Sequence, residues 1–228
     1  MGVTRGVRLW CAAWAALLVF CWGLVAAGDA QTPVSVAACP PSSTSHASAP
    51  SSPTPTTGSL TPAAEQIVAC VGAQSITGAT FLHWADVARR SGGKHPPSAA
   101  DVANEVMGFL ISSDWVLGEA ADLNIHVSEG EVRHTFTHIR NQQFPKHREF
   151  NAFLKRSGQT VADLLFRVRL NVTSERIQKR VVAGHRGARS RLNATKRFVR
   201  EFKLKWTAQT SCEPGYAIPD CGHVQAGL

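Results

Sequence analysis

The chain has 228 residues, with 24 Lys and Arg against 16 Asp and Glu, a formal net charge of +8. That length leaves room for one domain with appendages and excludes an assembly of several large ones. The charge is uneven: residues 60–130 carry 3 basic and 8 acidic residues (net −5), whereas residues 131–206 carry 19 and 5 (net +14). A basic half of this kind suits polyanions, acidic lipid headgroups or acidic client chains, and the compartment decides between them.

The N-terminus speaks to compartment. Arg5 and Arg8 precede an apolar run over residues 9–27 that contains no charge. A positive segment followed by an apolar one is an export signal, so residues 1–30 read as a signal peptide or a membrane anchor. The run is long for a cleaved peptide and nearly long enough to span a bilayer. Val25-Ala26-Ala27-Gly28 offers a cleavage site, and Val36-Ala37-Ala38-Cys39 resembles a bacterial lipobox, which would make Cys39 a lipidation site. Each option places the remaining chain outside the cytoplasm, tethered to the cell membrane in two of the three. Residues 40–62 hold 6 Pro, 7 Ser and 5 Thr and no charge, so residues 31–64 read as a linker. At about 3.1 Å per residue, residues 40–62 would reach roughly 70 Å.

The folded part is expected over residues 65–228. Residues 67–76 form a short β-prone piece with a turn at Gly72, and Cys70 within it reads as a buried thiol. Thr77 caps a helix carrying Phe81, Trp84, Ala85 and Ala88, which Gly92-Gly93 ends. The longest signal runs from Ser98, whose partner Asp101 resembles a capping box, through Val102, Val106, Phe109, Leu110, Val116, Leu117, Ala120 and Ala121. Steps of three and four place these on one broad stripe that other helices must cover. Asn124-Ile125-His126 turns the chain. Ser128 with Glu131 opens the next helix, and Val127 staples onto Val132. That helix bears Val132, Phe136 and Ile139 and stops before Phe144-Pro145. A short helix carries Phe150, Phe153 and Leu154 up to Gly158. Thr160 with Asp163 opens another, with Val161, Leu164, Leu165, Val168 and Val172. Residues 184–190 break the pattern, and a last helix bears Leu192, Phe198, Val199, Phe202 and Trp206. The fold class is all-α with a small β element near its start.

These residues carry a resemblance. Val-Ala-x-Val-Gly-x-x-Ile-Thr, followed by Phe-Leu-His-Trp, resembles the start of the SurA/PrsA-like N-terminal domain of secreted parvulin-type foldases. So does the helix end and restart from Glu119 through Asn124 and Ser128 to Val132. Gln143-Phe-Pro, Phe150-x2-Phe153-Leu154 and Ser157-Gly-Gln-Thr continue it, so that the likeness covers residues 66–182. The last helix and its two cysteines resemble the family's closing segment. In that family an isomerase domain stands before the closing helix, where this chain has only residues 183–190. The resemblance therefore implies the chaperone part of a foldase without its catalytic part: an exported protein that binds unfolded or nascent polypeptides and needs no cofactor. The alternatives are retained prolyl isomerase activity and an envelope protein that binds polyanions.

The candidate client-binding residues are Trp84, Phe109, Phe136, Phe144 and Phe150, enough aromatics for a core and, wherever left uncovered, for an apolar groove. No catalytic residue is expected. His134 and His138 stand four apart, a chelating spacing, but face away from Phe136 and Ile139 with no further ligand nearby. The sequons at Asn171 and Asn193 fall inside helices. Cys212 and Cys221 flank a Pro-Gly turn and read as a structural disulfide, because a redox-active pair has two intervening residues.

Overall fold

The computed structural model describes residue 39 and residues 61–92 and 97–224. The apolar run, its cleavage sites and most of the Ser/Thr/Pro-rich segment lie outside the described residues. Among the described residues the chain is mainly helical, with a small sheet.

Two strands open the fold, β1 (Ile67–Val71) and β2 (Gln74–Thr77), paired antiparallel. Gly72 turns the chain between them at φ +55°, a left-handed conformation that residues with a Cβ adopt at a cost. Helix α1 (Gly78–Ser91) follows at once, with Thr77 Oγ1 accepting from the N–H of Thr80 at 3.3 Å. Helix α2 (Ala99–Asp122) is the central element. Val102, Val106, Leu110, Val116 and Ala120 of the expected stripe are buried, joined by Met107, Ile111 and Trp115, whereas Phe109 and Leu117 are half-buried and Ala121 is exposed.

The chain then reverses through Asn124, at φ +52°, into α3 (Glu129–Gln143). Phe144-Pro145 separates it from α4 (His147–Ser157). Helix α5 (Val161–Val182) runs back beside α2 and α3, and α6 (Ala188–Thr207) beside α5. Thr160 and Asp163 form a complete capping box, Thr160 N–H donating to Asp163 at 2.7 Å and Asp163 N–H to Thr160 Oγ1 at 3.1 Å. The other two boxes are half-formed. Ser98 and Ser128 each accept the expected backbone N–H. The Asp101 carboxylate, however, takes the Ser98 hydroxyl, and the Glu131 carboxylate takes Arg176 of α5. A cation from a neighbouring helix competes successfully for the capping acid.

The β element is not confined to the start of the domain. After α6 the tail forms β3 (Thr210–Cys212), a 3-10 turn (Pro214–Tyr216) and β4 (His223–Val224), giving a sheet ordered β2-β1-β3-β4. β3 pairs antiparallel with β1 and brings the two ends of the described domain together. It stays there because Thr210 is fully buried, its hydroxyl accepting from Trp115 Nε1 at 2.7 Å, and because Tyr216 meets Phe81 edge-on at 5.1 Å. Three residues, two of them hydroxylated, carry too little β pattern to be read beforehand. The expected Cys212–Cys221 bridge is present.

A second bridge corrects two expectations. Cys70 is no free buried thiol: its sulfur is bonded to that of Cys39, with Cα atoms 5.9 Å apart. Cys39 is therefore not a lipidation site in this form, since a disulfide sulfur has no valence left for a thioether. The bridge also bears on the expected linker. Residue 39 and residue 61 are both held on the domain, so residues 40–60 form a covalently closed excursion rather than a 70 Å spacer. The link from the apolar run to the domain is residues 28–38, which span about 35 Å at full extension.

Candidate functional site

Helices α3, α4 and α5 build a small core of their own. Val132, Val168 and Val172 are buried at its centre, with Val127, Phe136, Ile139 and Leu165 packed around them. Two ion pairs clamp the start of α3 to α5: Glu129 holds Arg169, and Glu131 holds Arg176 at 2.5 Å. Arg176 also donates to the backbone carbonyl of His126, fixing the turn before α3.

Beyond that core lies an apolar groove. Phe136 and Ile139 of α3, Phe150 and Phe153 of α4, Leu164 and Val168 of α5, and Phe144 at the α3–α4 corner line it. Phe144 stacks near both Phe150 (5.4 Å) and Phe153 (5.2 Å), and Phe136 meets Phe150 edge-on at 6.1 Å. The space left among them is about 20 Å³, room for roughly one water. The rings fill their own groove, so a bound chain segment would have to displace Phe144 or Phe153, both half-exposed.

Of the five aromatic candidates, two belong to the core. Trp84 is 6% exposed and Phe150 5%. Trp84 lies 4.7 Å from Phe109 and 6.1 Å from Phe166, and the Arg167 guanidinium covers the pair at 4.9 and 5.0 Å. Burial lowers the Arg167 pKa, while the charges of Asp163 and Glu105 oppose that fall. Its Nε has no hydrogen-bond partner among the described residues, which leaves the ring faces as its main company. This closes off Trp84 and half-buries Phe109. Phe136 and Phe144 are half-buried at the groove with Phe153, and the buried Phe150, Leu164 and Val168 form its floor. Their helical spacing marked them as apolar, but only packing shows which apolar faces converge.

The histidines have ordinary duties. His83 Nε2 bonds Asp163 at 2.9 Å, tying α1 to the capping box of α5. His138 pairs with Gln142, and His134 is exposed. Among the described residues no group of three or more His, Cys, Asp or Glu is placed to hold a metal. The two sequons lie within α5 and α6, and Thr173 is buried.

The last helix departs from its expected pattern. Phe202 and Trp206 are buried, but Leu192 is 52% and Val199 42% exposed. Lys205 is not simply solvated. It donates to Glu119 at 2.6 Å and Asp122 at 2.7 Å. Burial pushes its pKa down, and the hydrogen bonds and charges of those carboxylates outweigh that and raise it. Trp206 Nε1 donates to the same Glu119 at 2.8 Å, which satisfies a nearly buried carboxylate.

The groove and fold together define a mainly helical domain closed by a small sheet, with an aromatic-lined surface. Compared with protein families, with characterised proteins and with solved structures, the chain matches none.

Proposed function

We propose that this protein is an exported, membrane-held chaperone that binds unfolded or newly exported polypeptides, as SurA/PrsA-like N-terminal domains do, and performs no isomerisation itself. The observation that carries the reading is the α3–α4–α5 groove. Its half-exposed rings at Phe136, Phe144 and Phe153 can exchange their mutual contacts for those of a client's apolar side chains. Exposed Lys146, Arg148 and Lys155 surround it and favour acidic stretches of the client. Only residues 183–187 join α5 to α6, where the family places its isomerase domain, which supports binding without turnover.

The test is light scattering of a chemically denatured client diluted into the full chain. The expected result is suppression near stoichiometric ratios, weakened several-fold in Phe144→Ser/Phe153→Ser with the helical circular dichroism retained. Suppression no better than that of an equal mass of albumin overturns the reading.

A further inference from the structure

Some cations of the fold are answered by carboxylates: Arg90 by Asp86, Arg133 and Arg169 by Glu129, Arg176 by Glu131, Lys146 by Glu149. At the C-terminal end of α6, Lys203 pairs with Asp220, and Lys205 with Glu119 and Asp122. Others are not, and the turn before α6 and the first two-thirds of that helix bring several of these together. Arg186, Arg189, Lys196, Arg197 and Arg200 form no ion pair among the described residues. Glu201 is the sole acid of α6. At 100° per residue it lies about 180° from Leu192, at the flank of this face beside Arg197. His185, Asn193, Lys196, Arg197 and Arg200 line a shallow open depression on this face.

The same face exposes apolar side chains. Leu192 and Val199 are seven residues apart, hence on one side of the helix, with Lys196 between them; Leu204, 67% exposed, lies about 120° round the helix from Leu192. A soluble polyanion would use the cations and leave these side chains in water. A bilayer surface takes both, because anionic headgroups answer the arginines while the headgroup–acyl boundary receives the leucine and valine. We infer that the outer face of α6, from Arg189 to Lys203, docks on an anionic lipid bilayer. The Cys39–Cys70 bridge favours this occupant. If residues 9–27 are retained in the membrane, residues 28–38 hold the domain within about 35 Å of it, and a weak surface affinity becomes intramolecular. This inference does not depend on the client groove, which lies on other helices.

The experiment uses the full chain reconstituted into vesicles, so that the apolar run is present in every sample. Lysines are acetylated briefly and quantified by mass spectrometry, with Lys155 of α4, exposed and without an ion pair among the described residues, as internal reference. On vesicles of phosphatidylglycerol and phosphatidylcholine the Lys196/Lys155 labelling ratio should fall at least about threefold relative to pure phosphatidylcholine, and recover in high salt. The fall should disappear in Leu192→Ser/Val199→Ser, whose exposed positions leave the fold intact, as thermal unfolding would verify. An unchanged ratio on both vesicle types overturns the inference, as does equal protection on both. Protection by soluble polyphosphate but not by anionic vesicles, insensitive to the double substitution, would assign the face to a soluble polyanion instead.

Discussion

Asp114 sits in the middle of α2 with its carboxyl pushed up to about 7 by desolvation. Well below pH 4, the carboxyl is protonated both folded and unfolded. Between there and pH 7 the unfolded chain has lost this proton and the folded one keeps it, so stability falls as pH rises through that window. Above pH 7 the full penalty is present. Asp114→Asn removes it, and denaturant melts should show a gain of about 1–3 kcal/mol above pH 7 and little change near pH 4. A variant less stable than its parent at the higher pH would mean that the carboxylate has a favourable role when charged. Nothing in the sequence singles out Asp114, because desolvation depends on what packs over a residue and not on its own helix. Thr77, Ser98, Ser128 and Thr160 are the opposite case. Each bonds a backbone N–H three residues on, a local interaction that is readable wherever it occurs.

At the scale of elements, α6 and β3 close the domain together. Gly118 of α2 lets the Trp206 indole come so near that a Cβ at that position would lie 1.8 Å from the ring. Trp206 thus seals α2, and β3 adds to β1 just beyond it. A chain ended at residue 191 loses Phe202, Trp206, Thr210, Cys212 and Tyr216 from the main core. It should fail to unfold cooperatively, since losing one large aromatic from a core already costs about 3–5 kcal/mol. A truncated chain that melts like the intact one would make α6 and the tail an appendage. The start, turn and end of nearly every helix were legible, because caps, Gly and Pro act within a few residues. Which side of α6 is buried was not. Leu192 and Val199 match the apolar period, but Ala194 is buried and Phe198 half-buried instead, and the crossing angle of two helices is a property of the pair.

For the molecule as a whole, the Cys39–Cys70 bridge turns a long spacer into a closed loop. By loop-closure entropy a ring of this size contributes about 3–4 kcal/mol. Cys39→Ser/Cys70→Ser should therefore melt several degrees lower than the parent under oxidising conditions, and equally under reducing ones once the Cys212–Cys221 bridge is also removed. Identical oxidised melts would show that Cys39 is not joined to the fold. The sequence by itself determined the helical class, the order and limits of the helices and the local Cys212–Cys221 ring. All of these follow from periodicity, capping and short-range spacing, which act within a turn or a loop. Tertiary structure alone decided that the tail completes the sheet, that Cys70 takes Cys39 as its partner, and that Trp84 and Phe150 are core while Phe136 and Phe144 border a groove. It alone showed which of the 19 basic residues between 131 and 206 are answered by carboxylates and which form no ion pair among the described residues. Each of these depends on groups far apart in the chain, and their meeting is set by how whole faces pack.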